Sequence, residues 1–171
     1  TKLAVRFSLK YQRRLHILHL TTEDECDFLR TLPRGHRIST EVCPQNLTLT
    51  APECYEQLGT LAQMNPPLRT AEDNVALLEG LKNGAFRIIA TDHAPHTEFE
   101  KSRAFEDAPY GISGLDTALV SLFDRFIDKG EFGWDLIVKR YSAEPRRMMQ
   151  LEAAEVAEGK SVDLIVFDPN G

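Results

Sequence analysis

Apolar positions recur along this chain in two rhythms. Leu15 to Leu20, LHILHL, alternates and predicts a strand. Arg37 to Cys43, RISTEVC, predicts a second, ended by Pro44. Ile88-Ile89-Ala90 is a short apolar run of the kind buried strands carry, and Val162 to Phe167, VDLIVF, predicts a further strand near the end. Helical stretches lie between these. Leu3 to Tyr11 closes one. Thr21 or Thr22 caps the next, with Glu25 placed to complete a capping box, and it stops near Leu32 before Pro33. A helix from Thr70 or Ala71 to Leu81 sets Leu77, Leu78 and Leu81 on one face, and Asn83-Gly84 ends it. Leu115 to Asp128 and Trp134 to Tyr141 read as helices, and Ser142 opens a shorter one to about Gln150. Gln45 to Thr60 is irregular apart from a short helix near Pro52 to Leu58. Met64 to Arg69 is a rigid extended loop, because Pro66 and Pro67 fix φ and remove two donors. The segment from His96 to Tyr110 is a long polar loop.

Strands alternating with helices predict parallel βαβ units, closed as a barrel or open as a doubly wound sheet. No Gly-rich phosphate loop follows any strand, which favours the barrel. A barrel carries its chemistry at the carboxyl ends of its strands.

Bulk composition narrows the function classes. The 171 residues suffice for one domain with a sizeable core, and the apolar and charged fractions, 42% and 27%, are those of an ordinary globular chain. A net charge of −6 argues against nucleic-acid binding. No apolar run spans a bilayer and no signal-peptide pattern opens the chain, so a cytoplasmic setting is expected. Cys26, Cys43 and Cys54 form no close-spaced zinc motif and read as reduced packing residues. The chain opens on Thr1 inside a predicted helix and closes just after a predicted strand, which suggests a piece of a longer protein.

The densest chemistry lies in RIIATDHAPHTEFEK, Arg87 to Lys101. Here a carboxylate and two imidazoles, Asp92, His93 and His96, fall within five positions at the expected exit of a buried strand. Such a set suits metal-assisted acid/base chemistry, although strand exits are often polar without any function. His19 stands at the exit of the first strand. His16 and His19 differ by an odd number and therefore point to opposite faces; His19, nearer the strand end, is the better ligand candidate, although a lone histidine is more often a satisfied core residue. Glu41 is a ligand, a supporting group or a structural carboxylate. The amide of Asn65, held between Met64 and two prolines, suits substrate recognition or the stabilisation of its own turn.

ATDHAPH with Glu100-Lys101, MNPPLR before it, LHLTT at the first strand exit and APYGISGLDT after it resemble the dihydroorotases of the amidohydrolase superfamily, over Leu15 to Asp168. The resemblance implies an α/β fold: the C-terminal part of a (β/α)8 TIM barrel of the metal-dependent hydrolase type, strands six to eight, ending at a strand of a small β-sandwich. On this reading residues 1–158 belong to the barrel and 159–171 begin the return to the sandwich. The implied reaction is reversible cyclisation of N-carbamoyl-L-aspartate to L-dihydroorotate in pyrimidine biosynthesis, with one or two zinc ions. His19 and Asp92 correspond to metal ligands, and Asp92 also to the proton shuttle. Asn65, His96, Pro109 and Gly111 correspond to the substrate pocket. The family's other ligands, an HxH pair, a lysine or Asp and a further His, would lie before Thr1, so the chain alone is expected to be inactive. It is also expected to self-associate through open edges and a bare apolar face.

A small-molecule substrate is implied, with no nucleic acid and no membrane, together with a homo-oligomer and aspartate carbamoyltransferase as a candidate partner. Two other readings stay open. Glu41-Val42-Cys43-Pro44-Gln45 looks more like the hydantoinase branch, so a hydantoinase or allantoinase is one. A non-catalytic dihydroorotase-like scaffold is the other.

Overall fold

The computed structural model describes residues 1–153 and 155–170. Three short strands, β1 (Leu15–Ile17), β2 (Ile38–Val42) and β3 (Ile88–Ile89), form one sheet in chain order. Both pairings are parallel. Leu15 lies opposite Ile38, and Glu41 opposite Ile88. The β1 ladder is shorter than LHILHL predicts, because the chain turns at His19, whose φ is 38°. One hydrogen bond continues past that turn, from Leu20 N–H to Glu41 O at 3.0 Å.

The helices are α1 (Lys2–Tyr11), α2 (Glu23–Arg30), α3 (Pro44–Thr48), α4 (Glu53–Leu58), α5 (Ala71–Asn83), α6 (Glu98–Lys101), α7 (Ala118–Leu122), α8 (Trp134–Ile137) and α9 (Glu144–Met148). Thr22 caps α2 as its sequence predicts, with its hydroxyl accepting from Glu25 N–H at 3.3 Å. The Glu25 carboxylate returns to Thr21 N–H at 3.2 Å, one residue earlier than a standard capping box. Gly84 ends α5 with φ 87°, a left-handed position glycine adopts without Cβ strain.

Pro44 ends β2 as expected, but it also opens α3, where its missing N–H costs nothing in the first turn. The helix expected from Leu115 begins three residues later, at Ala118, and continues past Leu122 as a wider π turn, Phe123–Ile127. The helix from Trp134 widens the same way over Val138–Ala143 and runs directly into α9.

One apolar core joins the sheet to these helices. Val42 and Ile89 meet Cys26 and Leu29 of α2, Leu47 of α3, Leu77 and Leu81 of α5, Phe86, Leu122, Phe126 and Ile137. A smaller cluster, Cys54, Ala62, Met64 and Leu68, packs under the Met64–Arg69 loop.

Val162–Phe167 departs from the strand expected there. The segment forms no ladder among the described residues, and Leu164, Ile165 and Val166 are exposed. A strand exists only through a hydrogen-bonding neighbour, and none is present there. The segment instead docks by Phe167, whose ring lies 5.1 Å from those of Phe123 and Trp134.

Candidate functional site at the carboxyl edge of the sheet

A parallel sheet sends every strand out on one edge, and here that edge carries the groups singled out by sequence. His19 follows β1 and Asp92 follows β3. Four non-glycine residues among those described have positive φ: Gln12, His19, Asp92 and Gln150. Gln12 is the C-cap of α1, and Gln150 lies just past the end of α9, where left-handed residues are usual. His19 (φ 38°) and Asp92 (φ 47°) have no such excuse, for each sits at a strand exit. Left-handed backbone away from helix ends costs roughly 1–2 kcal/mol in a non-glycine residue and gathers at functional sites.

With β2 between them, the two exits stand two strand spacings apart, roughly 10 Å at the backbone. Asp92 is exposed. Its charge reaches the end of β2: burial pushes the Cys43 thiol up, and the Asp92 and Glu41 carboxylates push it the same way. Gln45, buried at the start of α3, holds the Thr91–Asp92 junction by donating from Nε2 to Thr91 O at 2.9 Å. His19 is half-buried and lines a cavity of about 370 Å³ that Pro66 of the Asn65 loop also lines.

Glu41 is committed elsewhere. His16 shares its face of the sheet with Ser39 and Glu41, through the pairing of His16 with Ser39. The His16 ring is 2.8 Å from Ser39 Oγ through Nδ1 and 2.8 Å from Glu41 Oε2 through Nε2. Glu41 thus has a hydrogen-bonded partner inside the sheet, and the register that pairs it with His16 is invisible in sequence.

The remaining candidates gather in a second group. The His96 ring donates from Nε2 to Tyr110 O at 3.2 Å; the acceptor is a carbonyl, so Nε2 carries the proton. Gly111 N–H donates to Gln63 O at 3.0 Å, two residues before Asn65. A Cβ on Gly111 (φ 149°) would lie 2.6 Å from Ala94 O and 3.0 Å from His96 Nε2, so the close approach of the two loops needs glycine there. Asn65 is exposed and Pro109 half-buried. His93 forms a single parallel bridge to Ile112, and its Nδ1 accepts from Leu115 N–H at 3.1 Å, which gives it a role in loop closure.

Lys101 went unassigned in sequence. It is 5% exposed, and its Nζ donates to Gln63 O, Pro109 O and Gly111 O, each at 3.0 Å. The available signal was Thr97-x-x-Glu100, a capping box that announces α6 inside the supposed loop. In the structure Glu100 accepts from Thr97 N–H at 2.8 Å, and this holds its carboxyl below the usual range.

Among the described residues, no three His, Cys, Asp or Glu side chains converge as a complete metal site. His19 and Asp92 supply a nitrogen and an oxygen donor, which suits zinc in kind but falls short of the three protein ligands a catalytic zinc takes.

No family model matches the chain. Solved structures do. The chain superposes on L-hydantoinase (dihydropyrimidinase) from Arthrobacter aurescens with a TM-score of 0.81 and 26% identity, covering 87% of this chain and 34% of that one. Dihydropyrimidinase from Brevibacillus agri NCHU1002 matches with a TM-score of 0.75 and 23% identity, over 84% of this chain and 33% of that one. The α/β fold with its small parallel sheet is thus similar to about a third of each of these amidohydrolase barrels.

Curated relatives of similar sequence are named dihydroorotase. A dihydroorotase of Halalkalibacterium halodurans is 40% identical over 157 residues, 90% of this chain, and one of Lactococcus lactis subsp. lactis is 37% identical over 156 residues, 91% of this chain. The chain is homologous to the dihydroorotases and spans 36% and 37% of the length of these two relatives.

Proposed function

We propose that this chain is the C-terminal part of a dihydroorotase barrel, strands six to eight. In this proposal residues 1–158 form the barrel portion and 159–171 lead toward a β-sandwich. The whole protein would interconvert N-carbamoyl-L-aspartate and L-dihydroorotate. The observation that carries the proposal is the pair His19 and Asp92, both in left-handed backbone at exits of one parallel sheet. The same solved neighbours leave hydantoinase as the second reading, since the superposition on L-hydantoinase is good. The 37–40% identity to proteins named dihydroorotase, against 26% for that neighbour, favours the first.

In this reading His19 and Asp92 are two ligands of a zinc site that further residues must complete. Bound zinc would lower the pKa of a water to about 7 and polarise the carbonyl under attack. Asp92 is the proton carrier. An Asp92 carboxylate oxygen takes the proton of the attacking water and delivers it to the departing ring nitrogen; in the cyclising direction it takes that proton from the ureido nitrogen. Gln45 holds the peptide that aims the Asp92 side chain. The Asn65 amide donates to the substrate carboxylate. His96, whose Nε2–H is spent on Tyr110 O, donates from Nδ1 only as the imidazolium. Pro109 and Gly111 form the wall beside it.

The test is Asp92→Asn in the full-length polypeptide, assayed with dihydroorotate, hydantoin and allantoin beside zinc analysis. Turnover should fall by about 10²–10⁴ with the fold retained, as for loss of a positioned general acid/base. Undiminished turnover removes Asp92 from the mechanism, and preference for hydantoin or allantoin selects the other branch. A cytoplasmic setting, a homo-oligomer and association with aspartate carbamoyltransferase belong to the same proposal. Light scattering of the protein, alone and with that enzyme, tests the assembly.

A further inference from the structure

We infer that Lys101 is a positioning residue for the substrate pocket: its ammonium group locks the Asn65 loop to the Pro109–Gly111 loop and biases the pocket toward a small carboxylate. This inference rests on the proposed function and names a further residue for the same site.

An ammonium has three hydrogens, and here all three are spent on carbonyls of two separate loops: Gln63 O on one, Pro109 O and Gly111 O on the other. Gln63 O also accepts from Gly111 N–H, and the Lys101 carbonyl accepts from the Thr60 hydroxyl. The turn before Asn65, helix α6 and the Pro109–Gly111 loop therefore meet at one side chain. Both candidate substrate contacts hang from it. Asn65 is two residues past Gln63, and the His96 ring is anchored on Tyr110, between the two carbonyls of its loop that Lys101 holds.

The charge is the second observation. A neutral donor could tie carbonyls together, yet the group present is a cation that is 5% exposed. Lys101 forms no ion pair with a carboxylate among the described residues; carbonyl dipoles are its only compensation. Desolvation by burial pulls its pKa down, the cost of keeping a charge there. An ammonium without a counter-carboxylate leaves a net positive potential at the loops it joins, and that potential favours an anionic ligand.

Lys101→Met keeps the stem length and removes donors and charge. Three measurements on the full-length polypeptide decide the matter: calorimetric binding of N-carbamoyl-aspartate, KM and kcat for dihydroorotate, and hydrogen exchange at Gly111 N–H. Binding should weaken and KM rise at least about tenfold, with kcat within about threefold, as for loss of ground-state binding alone. Exchange at Gly111 should speed up. Lys101→Gln, which keeps donors without charge, should still bind weakly and takes over the test where the Met variant fails to fold. Unchanged binding in the variant, whether or not Gly111 exchange quickens, overturns the inference. A fall in kcat at constant KM overturns it too. Undiminished turnover in Asp92→Asn would sink the catalytic reading separately, and the binding comparison would still decide Lys101.

Discussion

Gly80→Ala sets two effects of opposite sign against each other. Gly80 lies buried within α5, where alanine is the better helix former by about 0.8–1.0 kcal/mol. By sequence the change should stabilise. The structure reverses the sign. A Cβ at position 80 would stand 2.3 Å from Cε2, 2.7 Å from Cζ and 3.0 Å from Cδ2 of Phe86. Carbon atoms rest at about 3.5–4.0 Å, so the closest overlap is roughly 1.2 Å or more. Phe86 cannot swing into solvent, being 0% exposed, and its own N–H is tied to Gly80 O at 3.1 Å. Overpacking of a closed core costs about 1–3 kcal/mol, and three ring atoms in contact put this case at the upper end. A cost of about 3 against a gain of about 1 leaves a net loss of about 2 kcal/mol. Urea unfolding followed by circular dichroism measures it. In the double variant Gly80→Ala, Phe86→Leu the smaller side chain should recover most of the clash, giving a coupling of at least about 1 kcal/mol between the sites. A stabilised single variant, or additive effects in the double, would refute the packing argument.

Thr22→Ala should cost about 1 kcal/mol in the same unfolding assay, since it removes the acceptor for Glu25 N–H at the start of α2. Alkaline stability offers a further check. Burial pushes the Cys26 thiol from near 9 up to about 12, so above pH 9 the unfolded state releases a proton that the folded state keeps. Stability should then fall as pH rises above 9 toward 12, because the folded state must keep a proton that the unfolded state releases. Tyr55 and Tyr141, also raised by burial, act in the same direction, so the quantity to read is the flattening of that slope in Cys26→Ala. An identical slope in the variant would show that Cys26 titrates normally in the folded protein.

Local rules were enough for much of this molecule. The cap at Thr22, the stop at Gly84 and the three parallel strands follow from hydrogen-bonding and φ preferences that act over a few residues. His19 and Asp92 were legible for a related reason: polar groups at the exits of apolar runs fall on one edge of a parallel sheet whatever the rest of the chain does. The helix α6 was announced by Thr97 and Glu100, a signal as local as the others.

Tertiary structure alone decided the rest, because each remaining feature depends on a partner distant in sequence. Register set His16 against Ser39 and Glu41, which turned a candidate ligand into half of an internal pair. Val162–Phe167 has every local mark of a strand, but a ladder needs a neighbouring edge, and among the described residues none is offered. The three carbonyls around Lys101 come from two loops separated by more than forty positions, and only their convergence makes that lysine a clamp. Gly80, favourable to replace by helix propensity alone, is held to glycine by one buried ring. Short-range preference placed the elements and the two strand-exit residues; long-range packing determined which side chains meet.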